Sequence, residues 1–214
     1  MKPVACAAID IETSSLDKRK CEIREIALVP LDLDTFEERT DVPTFVEEVR
    51  CEMPQDPEAF AIHSIPADRG YSWRVVASDM AEFVRENWGV ARPGHTGGGL
   101  VHLVGHNIGV FDAPVLDRCM HEAFGLDVYG TLFHYRVRDT SIAARLLADA
   151  GLLPPIIKNG KLHELCAVLD LPELGKAHRA LPDARDEARV YREMIYRMRV
   201  IGDAAIAKAQ ERDT

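Results

Sequence analysis

The sequence predicts an α/β fold in which helices cover a mixed sheet. Strand patterns fill the first part of the chain, and helices then alternate with strands, an order typical of layered α/β proteins. With 214 residues, of which 47% are hydrophobic and 29% charged, the chain can bury one core. We therefore predict one domain over residues 1–214, with a core of about 3–200 and a helical tail over 201–214.

Three strands are predicted in the first part of the chain. Val4–Ile9 is almost wholly apolar and ends at Asp10, as expected of a strand buried on both faces. Glu25–Leu33 and Thr44–Cys51 are its predicted neighbours. Pro30 interrupts the first of these and the second alternates imperfectly, so both are placed at or near an edge of the sheet.

The middle of the chain changes from strand to helical periodicity. Apolar residues at helical spacing predict a helix over Ser78–Trp88, with Ser78 as its N-cap. The glycine-rich segment Gly89–Gly99 predicts a mobile loop. Leu100–Val104 then predicts a second buried strand.

Helices dominate the rest of the chain. Pro114 favours the first turn of one helix, and Thr140 is the predicted cap of the next. A short strand, Val137–Asp139, precedes that cap, and Gly151–Gly160 predicts a loop. The predicted helices are Ala113–Phe124, Ser141–Ala150, Leu162–Leu169 and Asp183–Met198.

Composition and charge also exclude some classes of function. Acidic residues outnumber Lys and Arg by 35 to 26, and the resulting net charge of −9 disfavours non-specific coating of nucleic acid. No apolar run approaches the roughly 18–20 residues needed to span a bilayer, and no signal segment precedes the first strand, which predicts a cytoplasmic protein without membrane contact. The five cysteines are scattered without C-x-x-C spacing, which indicates reduced thiols.

A pair of carboxylates ends the first buried strand. Asp10 and Glu12 are two residues apart on an extended chain, so both can face one cation. The same spacing recurs at Asp32 and Asp34, and spacing alone is therefore not specific. Position is more informative, because packed carboxylates repel one another unless a metal or a proton compensates. The alternative of two solvated acids in a turn stays open on this feature alone.

Two further clusters follow the second buried strand and precede the last helix. Asn107 and Asp112 fall near the first pair if the two buried strands are neighbours, although Asp112 is equally well explained as an N-cap. His178 is placed in a loop and Asp183 in the first turn of the last helix. A histidine beside such a cluster can take a proton from water, whereas a lone one is usually a surface residue.

Taken together, three motifs in this order resemble those of the DnaQ-like 3′-5′ exonucleases, the DEDD superfamily with histidine in the third motif. The motifs are Asp10-x-Glu12-Thr13, His106-Asn107 with Phe111-Asp112, and His178-x-Ala180-x-x-Asp183-Ala184. Pro57–His63 also resembles a family segment, and the resemblance covers about Ala5–Met194. It implies a ribonuclease H-like three-layer fold, with helices on both sides of a mixed five-stranded sheet.

The resemblance also implies the roles of individual residues. Asp10, Glu12, Asp112 and Asp183 are the expected ligands of two Mg²⁺ or Mn²⁺ ions, and His178 is the expected general base. The reaction would release nucleoside 5′-monophosphates from a 3′ end of DNA or RNA. The terminal nucleotides would be contacted by Thr13, Ser14 and Leu16, with His63 and Asn107 bordering the strand.

Two other classes of function are candidates for this sequence. A catalytically silent domain that binds a strand end or a protein is the main alternative. A nucleophile hydrolase is disfavoured, because the sequence has no G-x-S-x-G motif and its cysteines lie mostly at apolar positions. The resemblance also allows a homodimer. A proofreading role would need a polymerase partner in trans, since this chain includes no polymerase domain.

Overall fold

A computed structural model describes residues 2–91, 99–154, 160–175 and 178–212, without the side chains of 207–209 and 211–212. In this part of the chain the sheet has six strands. The strands are β1 (Cys6–Thr13), β2 (Ile23–Leu31), β3 (Phe45–Arg50), β4 (Tyr71–Ser72), β5 (His102–Gly105) and β6 (Arg138–Asp139). Their spatial order is β4-β3-β2-β1-β5-β6. The sheet is mixed: β2 is antiparallel to β1 and β3, whereas β5 is parallel to β1 and β6.

Helices cover both faces of this sheet. The helices are α1 (Pro57–His63), α2 (Trp73–Trp88), α3 (Asp112–Phe124), α4 (Tyr129–Leu132), α5 (Thr140–Asp149), α6 (Leu162–Val168) and α7 (Ala180–Arg212). The main core lies between the sheet and α2 and α3, and a second core lies between the sheet and α7. The predicted three-layer α/β class is confirmed, with six strands where five were expected.

Strand alternation determines which face carries the acidic pair. Ile9 and Ile11 of β1 belong to the core on the α2 and α3 side, and Ala8 belongs to the core under α7. Because successive strand residues point to opposite faces, Asp10 and Glu12 lie on the α7 side. The α7 interface is built from small residues, which allow close approach of helix and sheet: Ala8, Ala27, Ala180, Ala184 and Ala188.

The edge placement predicted for the second strand is wrong, whereas β3 does lie next to the outermost strand. β2 is central and buried at every residue. Pro30 is tolerated because its carbonyl accepts a hydrogen bond from the Arg39 N–H at 2.8 Å. The N and C=O of one strand residue point to the same side, so the missing N–H of Pro30 costs no bond to β1.

Two predicted helix caps are also wrong. Helix α2 begins at Trp73 rather than after Ser78, and the indole N–H of Trp73 donates to the Cys119 carbonyl, a tertiary contact that local periodicity does not contain. Helix α5 is capped by Asp139, whose side chain accepts from two backbone N–H groups of the first turn. The Thr140 hydroxyl instead donates to the Gly105 carbonyl.

Two predicted loops lie only partly within the described residues. Within Gly89–Gly99, residues 92–98 lie outside the described residues, as do 155–159 within Gly151–Gly160. Among the described residues, no helix combines the length and the apolar character needed to cross a bilayer.

Candidate active site

Two of the carboxylates predicted from the three motifs, Asp10 and Asp183, line one cleft of about 560 Å³. The other two, Glu12 and Asp112, lie close enough to Asp10 for their charges to act on it. β1 and β5 are parallel neighbours, so the segments that follow them leave the sheet at the same end. Asp10 and Glu12 lie on β1, and Asp112 opens α3. Asp183 lies in the first turn of α7, as predicted. The fold therefore brings together side chains that are far apart in the sequence.

Asp10 is the most strongly perturbed of these acids. Its Oδ2 atom is buried and has no hydrogen-bond partner among the described residues. Burial raises the pKa of Asp10 well above its usual range, and the charges of Glu187, Asp112, Glu12 and Asp183 raise it further. An ionised Asp10 therefore needs a positive partner in the cleft.

Glu12 is affected by the same repulsion. Its side chain is buried, with 9% of the residue exposed. Burial raises the pKa of Glu12 to about 8, with further contributions from the charges of Asp183, Glu25 and Asp112 and an opposing one from Arg179. Glu12 thus holds its proton at neutral pH unless a cation replaces it.

Asp112 is not an N-cap. It is the first residue of α3, and Phe111 occupies the cap position. Its Oδ1 atom accepts a hydrogen bond from the Ile11 N–H at 3.2 Å, which ties the start of α3 to β1 between the two acids of the first motif. Burial raises the pKa of Asp112 to about 7, against the opposing effect of its backbone hydrogen bonds.

His178 lies in the loop before α7, as predicted, and adopts a left-handed backbone conformation with φ of 64°. Its N–H donates to Asp183 Oδ2 at 2.8 Å, which fixes this loop against the first turn of the helix. One ligand atom each from Glu12, His178 and Asp183 lie within 4.8 Å of one another. Burial raises the pKa of Asp183. The imidazole therefore stands beside carboxylates, not alone at the surface.

The residues expected to contact substrate separate into two groups. Leu16, 60% exposed, and the exposed Asn107 both line the cleft. Thr13 and Ser14 are buried, and their hydroxyl groups are engaged: Thr13 donates to the Ser15 carbonyl, and Ser14 accepts from the Glu22 N–H. The backbone N–H of Ser14 donates to the Glu22 carbonyl, so this group is not available to a ligand.

His63 does not line the cleft in this structure. The residue is 2% exposed, and its Nδ1 atom accepts a hydrogen bond from the Ile65 N–H at 2.9 Å. The other ring nitrogen lies 3.0 Å from the side-chain nitrogen of Gln55. These contacts indicate a residue that supports the loop after α1.

Two functional-site features were missed by the sequence analysis. Glu187, 1% exposed, lines the same cleft, and its pKa is raised well above its usual range by burial. The available signal was its position four residues after Asp183, on the same helix face. The second feature is an ion-pair network at the start of α7. Arg179 contacts both Glu25 and Glu48, and the Ala180 N–H donates to Glu25.

We expect Arg179→Met to lower the free energy of unfolding by about 3 kcal/mol, because Glu25, whose side chain is only 3% exposed, would keep a buried charge without its cation. Urea denaturation measures this loss. Arg185→Met is the matched control: Arg185 pairs with Glu38 nearer the surface, and its loss should cost less than about 1 kcal/mol. Equal losses in both variants would contradict the assigned role of Arg179.

The donor set fits hard divalent cations. Four buried or half-buried carboxylates from β1, α3 and α7 repel one another, and Asp10 presents an oxygen without a hydrogen-bond partner among the described residues. Carboxylate oxygens are the ligands preferred by Mg²⁺ and Mn²⁺. The arrangement can therefore hold such ions next to an imidazole.

Without metal, stability is expected to fall as the pH rises. Glu12 has a pKa of about 8 in the folded protein against 4.5 ordinarily, and Asp112 about 7 against 3.8. Between the ordinary pKa values and the raised ones, the folded state therefore binds more protons than the unfolded state. The stabilisation that these two protonated groups provide is complete only below their ordinary pKa values and is lost as the pH rises. In EDTA, the free energy of unfolding should drop by about 1 kcal/mol or more per pH unit between pH of about 5 and 8.

Saturating Mg²⁺ should flatten this dependence above pH of about 6, because the bound cation replaces the protons. Denaturant unfolding at several pH values, with EDTA or Mg²⁺, measures both slopes. Stability that rises through the same window in EDTA would be incompatible with the buried carboxylate cluster.

The fold matches solved structures of exonucleases and a related nuclease. Exonuclease I of E. coli in complex with a dT13 oligonucleotide aligns with a TM-score of 0.69 and 16% identity, over 92% of this chain and 42% of its own. Exonuclease I from Methylocaldum szegediense aligns with a TM-score of 0.65 and 22% identity, over 88% of this chain and 40% of its own. Cell-death related nuclease 4 aligns with a TM-score of 0.65 and 16% identity, over 91% of this chain and 64% of its own.

These likenesses confirm the predicted ribonuclease H-like fold, and they bear out the family resemblance at the level of the fold. The chain spans less than half the length of the exonuclease I structures that it matches. Comparison of the sequence with family models and with curated proteins finds no match.

Proposed function

We propose that the protein is a metal-dependent 3′-5′ exonuclease of the DnaQ-like group, which releases nucleoside 5′-monophosphates. The observation that carries this proposal is the clustering of Asp10, Glu12, Asp112 and Asp183, with His178 beside Glu12 and Asp183. The shared fold of exonuclease I supports the same function. The proximity of residues from all three motifs supports their assignment to one site.

In this proposal each side chain has a defined role. Asp10, Glu12, Asp112 and Asp183 would hold two Mg²⁺ or Mn²⁺ ions. Bound divalent ions supply an acidified water and neutralise charge on the phosphate that is attacked. His178 accepts the proton of the attacking water, since its loop places the ring next to Glu12 and Asp183. The contact from its N–H to Asp183 orients that loop.

The substrate is proposed to be a few nucleotides at a strand end. Leu16 and Ile62 give the cleft an exposed apolar rim, suited to packing against a base, and Asn107 adds an exposed polar group. Two divalent ions would offset four carboxylate charges and bring the net charge from −9 to about −5. The remaining negative charge disfavours contact with long stretches of nucleic acid.

Polarity and product identity test this proposal. Oligonucleotides labelled at the 3′ or the 5′ end, as single-stranded or duplex DNA or RNA, are incubated with Mg²⁺ or Mn²⁺. The 3′ label is expected to appear first, as a nucleoside 5′-monophosphate, and the preferred substrate would assign DNA or RNA. No release from any substrate with either metal, or first release of the 5′ label, would refute the proposal.

A catalytically silent binding domain is the disfavoured alternative. Such a domain has no need of packed carboxylates, which destabilise the fold without metal. It would gain support if Mg²⁺ and Mn²⁺ failed to raise the melting temperature.

The proposal also covers the location and the partners of the protein. A cytoplasmic location is proposed because the five cysteines, all within the described residues, are free thiols. A homodimer and a polymerase partner in trans remain predictions from the resemblance. Sedimentation of the purified protein tests the first of these two.

A further inference from the structure

Glu187 occupies a buried position between the ends of two strands. It follows Asp183 by one helical turn, so both carboxylates lie on the α7 face that packs on the sheet. Its Oε1 atom accepts a hydrogen bond from the His106 N–H at 2.9 Å, just after β5. The flanking interface residues of α7 are Ala184 and Ala188, which makes a charged side chain here an exception.

One carboxylate oxygen of Glu187 has no structural role in the described part of the chain. Its Oε2 atom is buried and has no hydrogen-bond partner among the described residues, and the same holds for Asp10 Oδ2. Both residues line the same cleft. Buried polar atoms are normally bonded, because each unmade bond costs free energy. Two such oxygens in one cleft point to a ligand that both would bind.

We propose that Glu187 is a fifth carboxylate of the metal site, on the side of Asp10. The inference rests on the proposed function, because it assumes that the cleft binds divalent cations. The alternative is that Glu187 has a structural role alone, as the acceptor of the hydrogen bond from the His106 N–H. A glutamine would serve that purpose equally well, since its side-chain oxygen also accepts a hydrogen bond.

Binding of Mn²⁺ to Glu187→Gln tests this inference without an activity assay. Calorimetric titration of the full chain should show Mn²⁺ affinity about tenfold to a hundredfold weaker than that of the wild type. The melting temperature without metal should stay unchanged or rise, because the amide keeps the His106 contact and removes a repelling charge. Glu193→Gln is the matched control, since Glu193 lies on the same helix and pairs with Arg197.

A second variant separates metal binding from folding. Glu187→Met has a similar volume without charge and should weaken Mn²⁺ binding as Glu187→Gln does. Wild-type affinity in a folded Glu187 variant would overturn the inference and leave the proposed function intact. Absence of Mn²⁺ binding to the wild type itself would instead overturn the proposed function, together with this inference.

Discussion

Asp10→Asn is expected to lower the rate of nucleotide release by at least about a thousandfold, because it removes a ligand on which the metal-assisted reaction depends. Asp10 is central to the cleft: four other carboxylates raise its pKa, and its Oδ2 atom is buried without a hydrogen-bond partner in the described part of the chain. The variant should also lose most of the rise in melting temperature that Mn²⁺ produces. Single-turnover release of a 3′ label and thermal unfolding measure the two effects.

The matched control for this variant is Asp34→Asn. Asp34 belongs to the second acid-x-acid pair of the sequence, but its side chain is 83% exposed and contacts Lys2. The Asp34→Asn variant should release nucleotides at the wild-type rate, and Mn²⁺ should stabilise it as much as it stabilises the wild type. In addition, Asp10→Asn should be at least as stable as the wild type in EDTA, since it removes a repelling buried charge. Retained release in Asp10→Asn would exclude the cluster as the catalytic centre.

His178→Asn is expected to lower the rate of release by about 10²- to 10⁴-fold, the usual contribution of a general base. The ring lies within reach of Glu12 and Asp183, so the geometry also admits a role as a metal ligand. Stabilisation by Mn²⁺ separates the two roles. It should persist in His178→Asn if the imidazole moves a proton and fall sharply if the imidazole binds the ion.

His121→Asn provides the control for this substitution, because His121 is an exposed residue in the last turn of α3. Its release rate should equal that of the wild type. A His178 variant with wild-type activity would leave the cleft without its assigned base and would require a different proton acceptor.

The sequence predicted the layers of the fold because they depend on local patterns, and the resemblance of its ordered motifs pointed to the four acids. Apolar runs that end in polar residues located β1 and β5, and the ordered motifs located Asp10, Glu12, Asp112 and Asp183. The central position of β2 was not predictable in this way. Pro30 indicates an edge locally, and only the tertiary contact with Arg39 shows why it is tolerated.

Features of the site that local sequence did not determine have the same origin. Asp112 is the first residue of a helix, and the local sequence does not distinguish an N-cap from a residue that accepts a hydrogen bond from the neighbouring strand. Glu187 is one of many acids on a long helix, and its burial depends on how α7 packs against β1 and β5. His63 is typical of a family segment, yet packing against Gln55 and Ile65 buries its ring.

Addition of Mn²⁺ to protein stripped with EDTA tests the central claim most directly. Metal occupancy and release of a 3′-terminal nucleotide are measured on the same sample as the ion is added. We expect no nucleotide release before Mn²⁺ is added, and a release rate that rises as the cluster binds the ion. In Asp10→Asn, both Mn²⁺ binding and nucleotide release should be much smaller than in the wild type. Full release by the stripped protein, or filled sites without release of a nucleoside 5′-monophosphate, would contradict it.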